Sequence, residues 1–164
     1  MFLLFIILLV FFQPDSIQQN HIPKTLEKGI EKELEAYFNA DNFDLKWLNA
    51  VDPSSLYRLE VDSIFQGFVL LTSSMGRFEE FQYMILYNSD VVVQKVKILQ
   101  YKSSHGNGVT SKRWLKQFIG QNGETLKYGK DIQAISGATY SATSLTNDVP
   151  AITRWVKQQI DQFN

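Results

Sequence analysis

Between residues 56 and 101 the chain carries four apolar segments of strand length, and these restrict it to folds built on an antiparallel sheet. Leu56-Tyr57-Arg58-Leu59-Glu60-Val61 alternates, and Gly67 to Leu71 follows as a second apolar segment. Phe81 to Tyr87 and Val91 to Leu99 come next, parted by the turn-forming Asn88-Ser89-Asp90. A loop this short between two strand-like runs predicts an antiparallel hairpin. In the second run Val96, Ile98 and Gln100 alternate with Lys95, Lys97 and Leu99, so part of one face meets water.

Helical spacing brackets these strands. Leu26, Ile30, Leu34, Tyr37 and Phe38 recur with a helical period from Lys24 to about Phe38, which predicts an amphipathic cover for the sheet. A short helix is expected over Ser111–Ile119, with Trp114, Leu115 and Phe118 on one face and Gly120 as its stop. Ile132 to Ile135 reads as a short strand. Leu145, Val149, Ile152, Trp155, Val156 and Ile160 place a helix over Ser141–Phe163, which Pro150 must kink or restart. The expected fold class is therefore α+β, an antiparallel sheet flanked by helices.

Composition narrows the chemistry. The 164 residues contain no cysteine and two histidines, His21 and His105. Disulfides, thiolate metal sites, iron–sulfur clusters and thiol catalysis are excluded, and imidazole-rich zinc chemistry is disfavoured. Sixteen basic against seventeen acidic residues give a net charge of -1, which supplies no electrostatic case for nucleic acid. Neither a G-x-S-x-G elbow nor an S-x-x-K pair is present, which argues against a hydrolase. Redox chemistry would have to come from an organic cofactor.

The expected organisation has three parts. Phe2–Phe12 is an unbroken apolar run of eleven residues. It is about half the roughly 20 residues that a membrane-spanning helix needs, and it matches the core of a secretory signal. Residues 1–12 are thus expected to be a signal or membrane-anchor segment, residues 13–24 a linker and residues 25–164 the domain. The expected location is exported and periplasmic, with the segment either removed or kept as an attachment to the membrane.

Candidate chemistry concentrates in Ile135-Ser136-Gly137-Ala138-Thr139-Tyr140-Ser141. Gly137 and Ala138 let another group approach the backbone, and hydroxyls follow at Ser136, Thr139, Ser141 and Thr143. A helix beginning here offers its free N–H groups to a phosphate. The same residues also suit an N-cap and a tight turn, and spacing alone leaves both readings open.

The segment resembles the FMN-binding domain family, which includes the flavoprotein C subunit of sodium-pumping NADH:quinone reductase and the G subunit of the Rnf electron-transport complex. Its motif runs D-x-x-[ST]-G-A-[TS], and a flavin transferase esterifies the last hydroxyl to the FMN phosphate. The resemblance implies attachment at Thr139, with Ser136, Gly137, Ala138 and Ser141 around the phosphate. A glycine loop typical of the family is matched at Ser104-His105-Gly106-Asn107-Gly108, followed by Trp114-Leu115-Lys116-Gln117-Phe118. His105, Gly106 and Gly108 would then lie by the flavin ring, His105 being either a donor to it or a solvated loop residue. Gln133 stands at the motif's acidic position, with Asp131 two residues earlier, which bears on recognition by the transferase.

The resemblance implies an electron carrier more than a self-contained enzyme. Its implied associates are a flavin transferase for maturation and membrane or soluble redox partners. A flavin-free or non-covalent ligand-binding module on the same fold is the alternative.

Overall fold

A computed structural model describes residues 22–51 and 54–162. The apolar run at residues 2–12 and most of the expected linker lie outside the described residues. Helix α1 (Lys24–Phe38) precedes five strands: β1 (Phe43–Val51), β2 (Ser54–Val61), β3 (Ile64–Met75), β4 (Glu80–Tyr87) and β5 (Val93–Gln100). A one-turn 3-10 segment (Asn107–Thr110) leads into α2 (Lys112–Leu115), a second 3-10 turn (Lys116–Phe118) and finally α3 (Thr139–Asp161). The strands form one antiparallel sheet in the order β1-β2-β3-β4-β5, which is also their order in the chain.

Alternation along the strands gives the sheet two apolar faces, and each face buries a different set of helices. Tyr57, Leu59, Val61, Val69, Leu71, Met84 and Leu86 pack with Leu26, Ile30 and Leu34 of α1. The opposite face places Leu56, Phe68, Leu70, Tyr83, Ile85, Val96 and Ile98 against α2, α3 and the loops between them. Packing holds α3's buried stripe of Leu145, Val149 and Val156 to the sheet, and polar contacts add to it, among them Asn49 Nδ2 of β1 donating to Gln159 Oε1. Tyr87 OH and Thr153 Oγ1 lie 3.1 Å apart. Ser74 Oγ donates to Asp148, whose carboxyl burial pushes above the ordinary aspartate range even against that hydrogen bond.

The helix over residues 24–38 and the hairpin of β4 and β5 follow the pattern. β5 starts at Val93 rather than Val91, because Val91 is drawn into the turn with a φ of 57°. Asn88 Oδ1 accepts from the N–H groups of both Asp90 and Val92 and extends that turn. The short strand expected at Ile132–Ile135 does not form. Only a single bridge joins Tyr128 and Ile132, and the next amides are taken by side chains: Gln133 N–H by Gln117 Oε1 at 2.8 Å, Ile135 N–H by the Tyr128 hydroxyl at 2.8 Å. α3 begins two residues before the expected start and runs unbroken through Pro150 to Asp161. The expected strands begin at Leu56, and β1 over residues 43–51 is an addition to them. Phe43 and Leu45 face α1 and Leu48 the other core, as alternation requires, and a bulge between Trp47 and Asn49 then sets Asn49 opposite Leu56 of that same second core.

One ion cluster locks α1 to the edge strand. Glu33, 8% exposed, receives Lys95 Nζ at 2.6 Å and Lys97 Nζ at 2.7 Å. Burial raises the Glu33 pKa, but the two lysine hydrogen bonds and charges outweigh it, and the net value falls below 4.5. Stability from this group is therefore complete above the unfolded-state value and is lost as pH falls through the lower folded-state value. Glu33→Gln is expected to cost about 1.5–3 kcal/mol at neutral pH, the range for hydrogen bonds to charged groups. Urea midpoints of the two proteins should converge as pH drops below 4.5. Parallel midpoints at every pH would remove Glu33 from the acid response.

Candidate functional site

The turn between β3 and β4 is the first of three segments that meet at the start of α3. Met75 and Glu80 form the last ladder pair, and Gly76 N–H donates to Glu79 O at 2.9 Å, leaving Arg77 and Phe78 at the tip. A Cβ on Gly76 would sit 2.9 Å from Glu79 O and 3.1 Å from Ser141 Oγ, so glycine lets the turn press on the helix.

The second segment follows β5. Tyr101 OH donates to His105 O at 2.7 Å, and its oxygen lies 3.0 Å from Ser141 Oγ. With its one proton committed to His105, the Tyr101 hydroxyl accepts from Ser141. This links the glycine loop to the first turn of α3. Gly106, with a φ of 78°, comes close enough that a Cβ would be 2.6 Å from the Tyr101 hydroxyl. His105 is exposed, pairs through Nδ1 with Ser104 Oγ at 3.1 Å and meets the Phe78 ring edge-on at 6.4 Å.

The third segment is the predicted loop. Ala138 N–H bonds Ile135 O at 3.3 Å across Gly137, whose φ is 75°. Of the N-cap-and-turn reading, the tight turn is present and the hydroxyl cap is not. Ala138 is the N-cap residue of α3 and no side chain caps the helix. The first helical bond runs from Ala142 N–H to Ala138 O at 2.9 Å, so the amides of Thr139, Tyr140 and Ser141 precede it. Thr139 and Tyr140 are exposed, whereas Ser141 is buried.

The three segments border a cleft of about 270 Å³ lined by Arg77, His105, Gly106 and residues 137–141. It brings together His105, Gly106, Gly137, Ala138, Thr139 and Ser141 from the sequence prediction. Ser136 and Gly108 do not line it. Gly108 sits on the far side of the 135–138 loop, where a Cβ would be 2.8 Å from Ile135 Cγ2 and 3.8 Å from Ala138 Cβ. There it borders a second, wider hollow of about 540 Å³ with Ser111, Arg113, Trp114, Gln117 and Gln133. Gln133 reaches this hollow because its backbone is fixed on both sides: its carbonyl accepts Trp114 Nε1–H at 2.7 Å and its amide is held by Gln117. Asp131 lines neither space; its carboxylate accepts Lys127 N–H at 2.8 Å and closes the 127–131 turn.

Arg77, Phe78 and Tyr101 carry parts of this arrangement that the sequence pattern did not single out. Only the structure brings a hairpin tip sixty residues upstream of the loop to its rim, though the glycine before Arg77 marks the turn. Chemically the cleft offers an exposed hydroxyl, free amides and a guanidinium to one occupant, on a floor kept low by Gly106 and Gly137. That set suits a phosphate ester.

Residues 77–152 match the model of the FMN-binding domain. The matched stretch contains the hairpin tip, the glycine loop and the Gly137–Ser141 turn. Among curated proteins, none matches the chain.

Proposed function

Because residues 77–152 belong to the FMN-binding domain family, with FMN as cofactor, we propose that this protein is an exported electron-relay flavoprotein whose FMN is esterified to Thr139. The observation that carries the attachment is the exposed Thr139 side chain on the first residue of α3, opening into a cleft lined by a guanidinium and two glycines.

The residues present fit the group. Gly106 and Gly137 leave room for a ligand to approach the backbone, and a side chain at either position would need an unfavourable positive φ. The amides of Thr139–Ser141 and the Arg77 guanidinium are the donors for a phosphate. Bound FMN supplies the one- and two-electron chemistry of its ring. The protein's part is to fix the ring and shape its surroundings. The Tyr101–Ser141–His105 linkage holds the glycine loop at a set distance from α3, and Phe78 and Tyr140 offer exposed aromatic faces at the rim. Thr139 would contribute its hydroxyl oxygen to the new phosphorus–oxygen bond as the transferase breaks the phosphoanhydride of a flavin dinucleotide donor, the nucleoside monophosphate leaving and the hydroxyl proton passing to a base.

Export rests on the eleven-residue apolar run near the N-terminus, which has the length of a secretory core. No helix among the described residues is long and apolar enough to cross a membrane. A tether would keep FMN on a protein working outside the compartment that makes it. Its electron partners would be membrane-bound or soluble redox proteins. Gln133 favours a second reading, non-covalent FMN in the same cleft, since the transferase would meet an amide where the family motif has an acid.

Co-expression with a flavin transferase separates the two. After denaturation, intact mass and in-gel fluorescence are expected to show one FMN per chain. Flavin released entirely by denaturant would overturn the covalent reading in favour of the second. No flavin in either fraction would overturn both.

A further inference from the structure

Resting on the FMN reading above, we propose that Arg77 is the phosphate-recognising side chain of the cleft, so that this domain selects the phosphorylated flavin over riboflavin before any bond to Thr139 forms. Arg77 and His105 are the basic residues lining the cleft, and Arg77 alone bears a permanent charge. Among the described residues no carboxylate comes within 4.0 Å of its guanidinium, although Glu79 and Glu80 are its close neighbours in sequence. Glu80 accepts the Ser73 hydroxyl at 3.1 Å instead.

The guanidinium is nonetheless held. Its central carbon lies 5.0 Å from the Phe78 ring centroid and 5.6 Å from that of Tyr140. Contacts with ring faces leave the N–H donors free, and those donors form the fork that matches phosphate oxygens. Tyr140 follows Thr139 directly on α3, while Gly76 seats the hairpin tip against Ser141 of the same turn. One helical turn thus fixes both the cation and the hydroxyl. An unpaired guanidinium beside the amide end of a helix concentrates positive potential, which an anion relieves. A phosphate monoester brings that charge, and riboflavin, the same ring and ribityl chain without phosphate, does not.

The test uses the full protein made without transferase, titrated with FMN and with riboflavin while flavin fluorescence is followed. The unaltered protein is expected to prefer FMN by on the order of ten-fold or more, as for a charge-assisted pair. Arg77→Gln should bring the preference close to unity with riboflavin affinity unchanged, and Arg77→Lys should restore part of it. Raising salt should weaken FMN binding in the unaltered protein and much less in Arg77→Gln. A preference that survives Arg77→Gln overturns the assignment, and so does an equal loss of both flavins, which marks Arg77 as merely structural. Failure of the covalent reading looks different: no FMN stays on the denatured chain, yet the preference and its dependence on Arg77 persist. No binding of either flavin overturns this proposal with the reading it rests on.

Discussion

Gly67→Ala is expected to lower the stability of the domain by about 3–5 kcal/mol, at the upper end for single substitutions. Gly67 lies in β3 next to the bulge that shifts the β2–β3 register, with a φ of 142°. A Cβ there would sit 2.1 Å from Tyr87 O and 2.7 Å from the carbonyl carbon of Asn88. Both are backbone atoms at the end of β4, so no side chain can swing aside. Either the β4–β5 turn moves or β3 loses its register. For a domain of this size the loss corresponds to a thermal midpoint lower by roughly 10 °C. Gly129→Ala isolates the backbone part of the effect: its φ is 79°, but nothing lies within 4 Å of the added methyl. That variant should lose only about 1 kcal/mol, the cost of a positive φ without a clash. Circular dichroism melts of the two proteins check the pair, and equal midpoints would refute the steric account.

Thr139→Ala is expected to abolish FMN that survives denaturation while leaving the fold intact. The residue is exposed on the first turn of α3 and caps nothing, so the stability change should stay within about 0.5 kcal/mol. Thr139→Ser keeps a hydroxyl at the same backbone position and should retain label. The neighbouring hydroxyls are poor substitutes for distinct reasons. Ser141 is buried and bound to Tyr101, and Ser136 is exposed but outside the cleft. Ser136→Ala should therefore label like the unaltered protein. Intact mass after transferase treatment reads all three variants. Label persisting on Thr139→Ala would move the attachment elsewhere.

What was legible in the sequence, and what was not, follows from the range of each interaction. α1 and the β4–β5 hairpin are local objects, written by a helical period and by a three-residue turn. The motif from Ser136 to Ser141 is local as well, and the cleft does form around most of it. The resemblance set Gly108 by the flavin ring, whereas in the structure it packs against Ile135 and borders the second hollow. β1 was missed although Phe43, Leu45 and Trp47 alternate with Asp44 and Lys46; the bulge cuts that pattern to five residues. The strand expected at 132–135 failed because Gln117 and Tyr128 compete for its amides. Both side chains lie outside the segment, Tyr128 seven residues from the amide it takes and Gln117 sixteen, so no pattern within the segment could show it. Arg77 was hidden for the same reason, its place on the cleft depending on how a hairpin tip packs on a helix that begins sixty-two residues later.

The chain-order sheet has a consequence for when the protein acquires its cofactor. Each strand joins the strand just made, so the sheet needs only short loop closures and can assemble hairpin by hairpin. α3 is the exception: its contacts with Ser74 and Tyr87 span 74 and 66 residues, and they close only after the last segment has emerged. Thr139 is made after all five strands, and the guanidinium and the glycine floor opposite it come together with it only once α3 has docked. A maturation enzyme that recognises the assembled cleft would modify finished molecules and pass over partial ones. The flavin would then serve as a stamp of completed folding.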